Sequence, residues 1–127
     1  MDRLIVSVEE LDGPVRVAVI SLKGTIEMTN ASSLEDALRR LMARDQFRFI
    51  VDLSDVGYIS SAGWGIFIGE LKRIRHNSGD IKLVGMTPEV REVFDLLEFD
   101  DILDSFSDQG QAIKDFENAA GAKASKS

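Results

Sequence analysis

The sequence predicts an α/β fold in one domain, built on a mixed β-sheet covered by helices. After an opening pair of strand-like segments, short β-branched runs alternate with stretches whose apolar residues recur at helical spacing. The resulting order is β-β-α-β-α-β-α-β-α. The segment "FRFIVDL" from Phe47 to Leu53 is apolar on both faces, as a central strand covered from two sides must be. The size agrees: 127 residues with 44% apolar and 29% charged side chains suit a single hydrophobic core.

The first strand, Leu4 to Glu9, alternates Leu4, Val6 and Val8 with polar or smaller neighbours, and the second, Val15 to Leu22, is rich in β-branched residues. The turn residues of "LDGP" between them predict a hairpin. Leu34, Leu38, Leu41 and Met42 then fall on one helical stripe, and Ser32 with Glu35 three residues later reads as a capping box. The Phe47 to Leu53 strand follows. A second helix from Ser61 carries Trp64, Phe67, Ile68, Leu71 and Ile74 on one stripe, with Lys72, Arg73 and Arg75 at its negative end and "NSG" as its stop.

"IKLVG" from Ile81 is a further strand. Thr87 and Pro88 open a third helix as cap and first residue, with Val90, Val93, Phe94 and Leu97 inward. A short strand is expected around Ile102 and Leu103, and a last helix from near Ser107 with Ala112, Ile113 and Phe116 inward. The domain is set at residues 1–118. The low-complexity end "AAGAKASKS", residues 119–127, reads as a flexible tail.

A net charge of -7 with no basic concentration argues against nucleic-acid binding, which needs phosphate neutralisation. No apolar run approaches the length of a membrane span and no signal segment opens the chain, so no direct membrane insertion is expected. The absence of cysteine suits a reducing compartment, and the expected location is the cytoplasm. No cofactor or metal site is expected. "GWGIFIG" lacks the Lys-Ser/Thr of a phosphate loop, and the acidic run from Glu98 to Asp104 lacks the oxygen spacing of a calcium loop. His76, the only histidine, sits among cations at a helix end and has no nucleophile paired with it in the pattern, so no catalytic residue is assigned.

The stretch "YISSAGWG", Tyr58 to Gly65, holds the candidate site. It is expected to lie in a loop between the Asp52 strand and the Trp64 helix, with Ser61 capping that helix. Gly63, Gly65 and Gly69 cost about 1 kcal/mol each relative to alanine inside a helix, which calls for close approach of something, either the domain's own sheet or a partner. Trp64 is open to two readings, as core residue or as exposed partner anchor.

From Leu4 to Phe116 the chain resembles STAS domains of the anti-sigma factor antagonist type. The family pattern around its regulatory serine runs aromatic, apolar, Asp, Ser, Ser or Thr, Gly, apolar, Gly. Here Tyr58, Ile59, Ser60, Ser61, Ala62, Gly63, Trp64 and Gly65 stand in that order. The resemblance implies a STAS-type fold and makes Ser61 the phosphorylated serine. Ser60 replaces the usual Asp and is itself a rival acceptor, and Ala62 replaces the second hydroxyl residue. Gly24 and Glu27 fall where the family has a glycine followed by Asp.

What the resemblance implies is a switch by partner exchange. The unphosphorylated protein binds an anti-sigma factor that is also a serine kinase, freeing a sigma factor. Phosphorylation of Ser61 abolishes binding, and a metal-dependent serine phosphatase resets it. The expected contacts are Glu27, Ser60, Ser61, Ala62, Gly63, Trp64 and Gly65, in a protein that is not an enzyme. Two other readings compete. One keeps the fold as an unphosphorylated scaffold module in a lipid-transport or stress-sensing assembly. The other is a receiver domain phosphorylated on Asp52, with Glu9 and Glu10 as magnesium ligands. Against the receiver stand the directly joined first strands and the lack of a Lys-Pro pair after the late strand.

Overall fold

A computed structural model describes the backbone of residues 3–125 and the side chains of residues 3–121. The elements follow the predicted order: β1 (Leu4–Leu11), β2 (Val17–Ile26), α1 (Ala31–Met42), β3 (Arg48–Ile59), α2 (Ser61–His76), β4 (Asp80–Val84), α3 (Pro88–Leu96), β5 (Asp104–Phe106) and α4 (Gln109–Ser125). A short 3-10 turn, Phe99–Asp101, precedes β5. The five strands lie in the order β1-β2-β3-β4-β5; β1 runs antiparallel to β2, and the other pairs are parallel.

Strand alternation divides the core in two. Ala18, Ile20, Phe49, Val51 and Leu53 point to one face, where they meet the apolar sides of α1, α2 and α3. Val17, Val19, Ile50 and Val84 point to the other, where Ala112 and Phe116 of α4 cover them. This is why β3 is apolar on both sides. At Gly24 the β2 to β3 register shifts and φ reaches +119°; a side chain there would collide with the Arg3 carbonyl.

Helix ends show how local signals are overridden. Thr87 caps α3 as expected: its Oγ1 accepts from the Val90 amide at 3.4 Å and donates to the Val56 carbonyl at 3.0 Å. The expected box at Ser32 and Glu35 does not form, because α1 begins earlier, at Ala31. Asn30 Oδ1 accepts from the Glu27 amide at 2.9 Å and its Nδ2 donates to the Thr25 carbonyl at 3.0 Å, folding the entry to the helix. Ser32 is left inside the first turn, and Glu35 pairs with Arg39 at 3.6 Å. At α4, which starts at Gln109, the capping oxygen is that of Asp108, accepting from the Gln111 amide at 2.9 Å.

The fifth strand lies beyond Ile102 and Leu103. Leu103 is buried at the close of the 3-10 turn, and the residues that pair with Lys82, Leu83 and Val84 are Asp104, Ser105 and Phe106. Leu97, expected inward, is exposed because α3 ends at Leu96. α4 continues to Ser125, so residues 119–125 are helical where the sequence suggested a tail; Lys126 and Ser127 lie outside the described residues.

One buried cation ties the last elements to the sheet. Lys82 of β4, 4% exposed, reaches Asp115 of α4 at 2.7 Å, Asp104 of β5 at 3.3 Å and Asp80 at 3.6 Å, with its ammonium 4.6 Å from the Phe116 ring centre. Burial pulls its pKa down. The hydrogen bond to Asp115 and the surrounding carboxylates outweigh this and hold it above the ordinary value.

Candidate functional site

β3 continues as strand to Ile59 and α2 starts at Ser61, so the expected loop contracts to one residue, Ser60. Ile59 is the register partner of Ile26 at the end of β2. The Ser60 amide continues that ladder by donating to the Ile26 carbonyl at 2.8 Å, and the Ser60 carbonyl accepts the first helical bond, from Trp64, at 3.0 Å. With φ -75° and ψ 170°, Ser60 is extended, and its Oγ turns back to accept from the Gly63 amide at 3.3 Å. Ser60 is therefore the cap, correcting the assignment to Ser61.

This shift by one residue sets the chemistry of the site. Ser60 is half-buried and its hydroxyl is held by the helix it caps. Ser61 is the first helical residue, exposed, and its hydroxyl has no hydrogen-bond partner in the protein among the described residues. It stands at the positive end of a helix with no acidic residue in its first turn. A phosphate there meets favourable helix electrostatics. Of the two rival acceptors, Ser61 is the accessible one.

The small residues separate into two groups. A Cβ on Gly63 would lie 2.7 Å from a methyl of Ile26 and 2.8 Å from one of Ile59, so this glycine is required by the domain's own β2 and β3. Ala62 is half-buried against the same core. On Gly65 and Gly69 a Cβ would meet nothing within 4 Å; both are exposed, and that side of α2 is free to receive another backbone. Gly57, near the end of β3, is equally open.

Trp64 is core: 3% exposed, it packs on Phe67, Phe94 and Phe99 with ring centres 6.1, 5.9 and 4.9 Å away. Of the two readings of Trp64 the structure takes the core residue, and Gly63 is buried against β2 and β3. The exposed apolar side chains near the junction are instead Tyr58 (50%), on β3, and Met28 (82%), in the connection after β2. Sequence reasoning missed both. Met28 follows Glu27, which the Ile26 to Ser60 bond brings beside the α2 start; Glu27 is half-buried, and its amide and carbonyl are used by Asn30 and Ala31. The available signal was a large apolar side chain in a polar connection.

Among the described residues, Asp52, Glu9 and Glu10 do not form a receiver site. Asp52 lies within β3 rather than at its end; its Oδ1 accepts from the Ser54 amide at 2.9 Å and hydroxyl at 2.7 Å, and its Oδ2 from Gln109 at 3.4 Å. Glu10 is engaged by Arg16 at 3.2 Å and Arg44 at 2.9 Å. Among the described residues no group of three His, Cys, Asp or Glu side chains is placed to hold a metal. Among them, too, no helix is long and apolar enough to cross a membrane.

Comparison with known proteins gives the same assignment. The STAS domain family matches residues 7–112. BtrV of Bordetella bronchiseptica, named as a candidate anti-sigma factor antagonist, is 31% identical over 93 residues, covering 73% of this chain and 78% of its own. The crystal structure of an anti-sigma factor antagonist from Mycobacterium paratuberculosis superposes with a TM-score of 0.80 at 26% identity, covering 91% of this chain and 95% of that one. The phosphorylated form of the Bacillus cell fate determinant SpoIIAA shares the fold, with a TM-score of 0.66 at 16% identity, over 87% of this chain and 97% of that one. With the family matched over most of the chain and the predicted order of strands and helices present, this chain belongs to the STAS domain family.

Proposed function

We propose that this protein is an anti-sigma factor antagonist switched by phosphorylation of Ser61. The observation that carries the reading is the division of labour at the α2 mouth. Ser60 satisfies the first-turn amide of Gly63, leaving the Ser61 hydroxyl exposed and unengaged at the helix N-terminus. The likeness to the Mycobacterium paratuberculosis antagonist supports the role.

In this reading the unphosphorylated protein docks its open surface, with Glu27, Ser61, Met28, Tyr58 and Gly65 around the junction, onto an anti-sigma factor that is also a serine kinase, and a sigma factor is released. The kinase ends the complex by phosphorylating Ser61. The Ser61 oxygen attacks the γ-phosphorus of ATP, the bond to the β-phosphate oxygen breaks, ADP leaves, and the hydroxyl proton is lost. The product adds about -1.5 to -2 charge to a chain already at -7. The domain tolerates that charge because it sits on helix amides. The interface does not, since the phosphate occupies the space and must be desolvated against the partner. A metal-dependent serine phosphatase restores the hydroxyl by hydrolysis. All of this takes place in the cytoplasm.

The Ser60 departure fits the same scheme. Serine and aspartate rank together as N-caps, so the replacement keeps the cap while removing a carboxylate next to the acceptor.

The test is intact mass and peptide mapping of the protein from its own host, with Ser61→Ala beside it, followed by pull-down with wild type and Ser61→Glu. A gain of ~80 Da on Ser61, absent in the alanine variant, with a kinase captured by wild type but not by Ser61→Glu, supports the switch. A serine never phosphorylated under stress or starvation would overturn it in favour of a constitutive STAS scaffold.

A further inference from the structure

β1 forms one edge of the sheet, hydrogen-bonded to β2 on one side and, among the described residues, to no strand on the other. Such edges are commonly blunted by shortness, by Lys or Pro, or by a bulge. β5, at the opposite edge, has three residues. β1 has eight, "LIVSVEEL", with neither Lys nor Pro, and its register with β2 runs without a shift from Leu4 to Leu11. Its two charges, Glu9 and Glu10, stand toward one end, and the stretch from Leu4 to Val8 is an extended template without charge.

The side chains beside this edge are also unfilled. Leu4, Val6 and Val8 stand on the α1 side and form one wall of a groove of about 810 Å³. The other wall is α1, apolar at Ala37 and carrying Asp36 and Arg40. Val8 remains 44% exposed. A strand laid against β1 would complete the ladder and put its own alternate side chains into this groove.

β1 is complementary to itself. In an antiparallel pairing with Val6 on the two-fold axis, Leu4 faces Val8 of the second copy, Ile5 faces Ser7, and Arg3 faces Glu9. The two-fold repeats the charge pair at both ends. Arg3 and Glu9 are exposed, and neither has an ion-pair partner among the described residues. The same axis runs the two α1 helices antiparallel on one face, so that Asp36 and Arg40 stand in opposite order on the two copies.

We propose that this chain forms a two-fold symmetric dimer through β1, joining two sheets into one continuous sheet. The interface is isologous and closes on itself, so it yields a dimer and no fibre. β2 lies between β1 and the β3 to α2 junction. Both Ser61 hydroxyls therefore stay open, and one assembly offers two switch sites to its partners.

The test is sedimentation equilibrium of the full chain from micromolar to near-millimolar concentration, with Arg3→Glu, Glu9→Arg and the double reversal. Each single reversal places like charges opposite at both ends and should weaken the dimer about tenfold or more. The double variant should recover most of that loss. Both substituted positions are on the surface, and circular dichroism checks that each of the four proteins is folded. A wild type that stays monomeric throughout overturns the proposal, as does a dimer indifferent to the single reversals or weakened further by the double one. Should a variant not fold, amide exchange of wild type decides: protection in β1 that rises with concentration supports the interface, and exchange independent of concentration refutes it.

Discussion

Gly63 and Gly65 are two residues apart in one helix and should respond to the same substitution in opposite directions. At both, alanine brings the helix propensity gain of about 1 kcal/mol. At Gly65 the added methyl meets nothing within 4 Å, so the gain is kept. At Gly63 it would lie 2.7 Å from Ile26 Cγ2 and 2.8 Å from Ile59 Cγ2, where carbon atoms prefer about 3.5–4.0 Å. Neither isoleucine can withdraw, because both are buried, both are β-branched with stiff χ1 angles, and both belong to strands paired at that point. Overpacking of this kind costs about 1–3 kcal/mol, which exceeds the propensity gain over most of that range. Thermal denaturation followed by circular dichroism should show Gly65→Ala raised by about 3–5 °C, and Gly63→Ala lowered by up to about twice that. A Gly63→Ala protein as stable as Gly65→Ala would refute the close approach of α2 to β2 and β3. In the switch reading, a bulky Gly65 variant keeps its stability while losing capture of the kinase; unfolding of Gly65→Leu would remove this face of α2 from the proposed interface.

The serines should divide in the same way. Ser60→Ala removes the cap of α2 and should cost about 1 kcal/mol in denaturant titrations, whereas Ser61→Ala should change stability by less than about 0.5 kcal/mol; equal effects would contradict the capping assignment. Lys82→Met keeps the length of the side chain but removes the charge that links β4, β5 and α4, and should cost about 1–2 kcal/mol at neutral pH, since the half-exposed Asp104 and Asp115 can rehydrate. Because the folded pKa of Lys82 is raised, its contribution is complete below the ordinary value of 10.5 and is lost as pH rises through the folded value; the difference between wild type and Lys82→Met should therefore narrow in strongly alkaline urea titrations. A Lys82→Met protein as stable as wild type at pH 7 would mean that burial of the ammonium cancels its ion pairs. Asp52→Ala should leave phosphate on Ser61 intact by peptide mapping, and loss of all phosphorylation in that variant would return the receiver chemistry to consideration.

Patterns that depend on neighbouring residues were legible in the sequence. The alternation of Leu4, Val6 and Val8, the helical stripe from Trp64 to Ile74 and the Thr87-Pro88 start each reflect an element burying its own apolar side, so element order and mixed sheet follow from them. The "YISSAGWG" stretch located the site for the same reason: its residue types belong to a strand end, a cap and a helix start. Tertiary structure decided everything that depends on which of two adjacent residues is held from outside. Ser60, rather than Ser61, is the cap because its amide is fixed by the Ile26 carbonyl across the sheet. Gly63 is closed and Gly65 open because only the first faces β2 and β3. Trp64 is core because α3 and the turn after it fold over it, and β5 starts at Asp104 because pairing with Lys82 selects that register. One residue of register exchanges the buried and exposed faces of an element, and that register is set by distant partners whose positions no local pattern encodes.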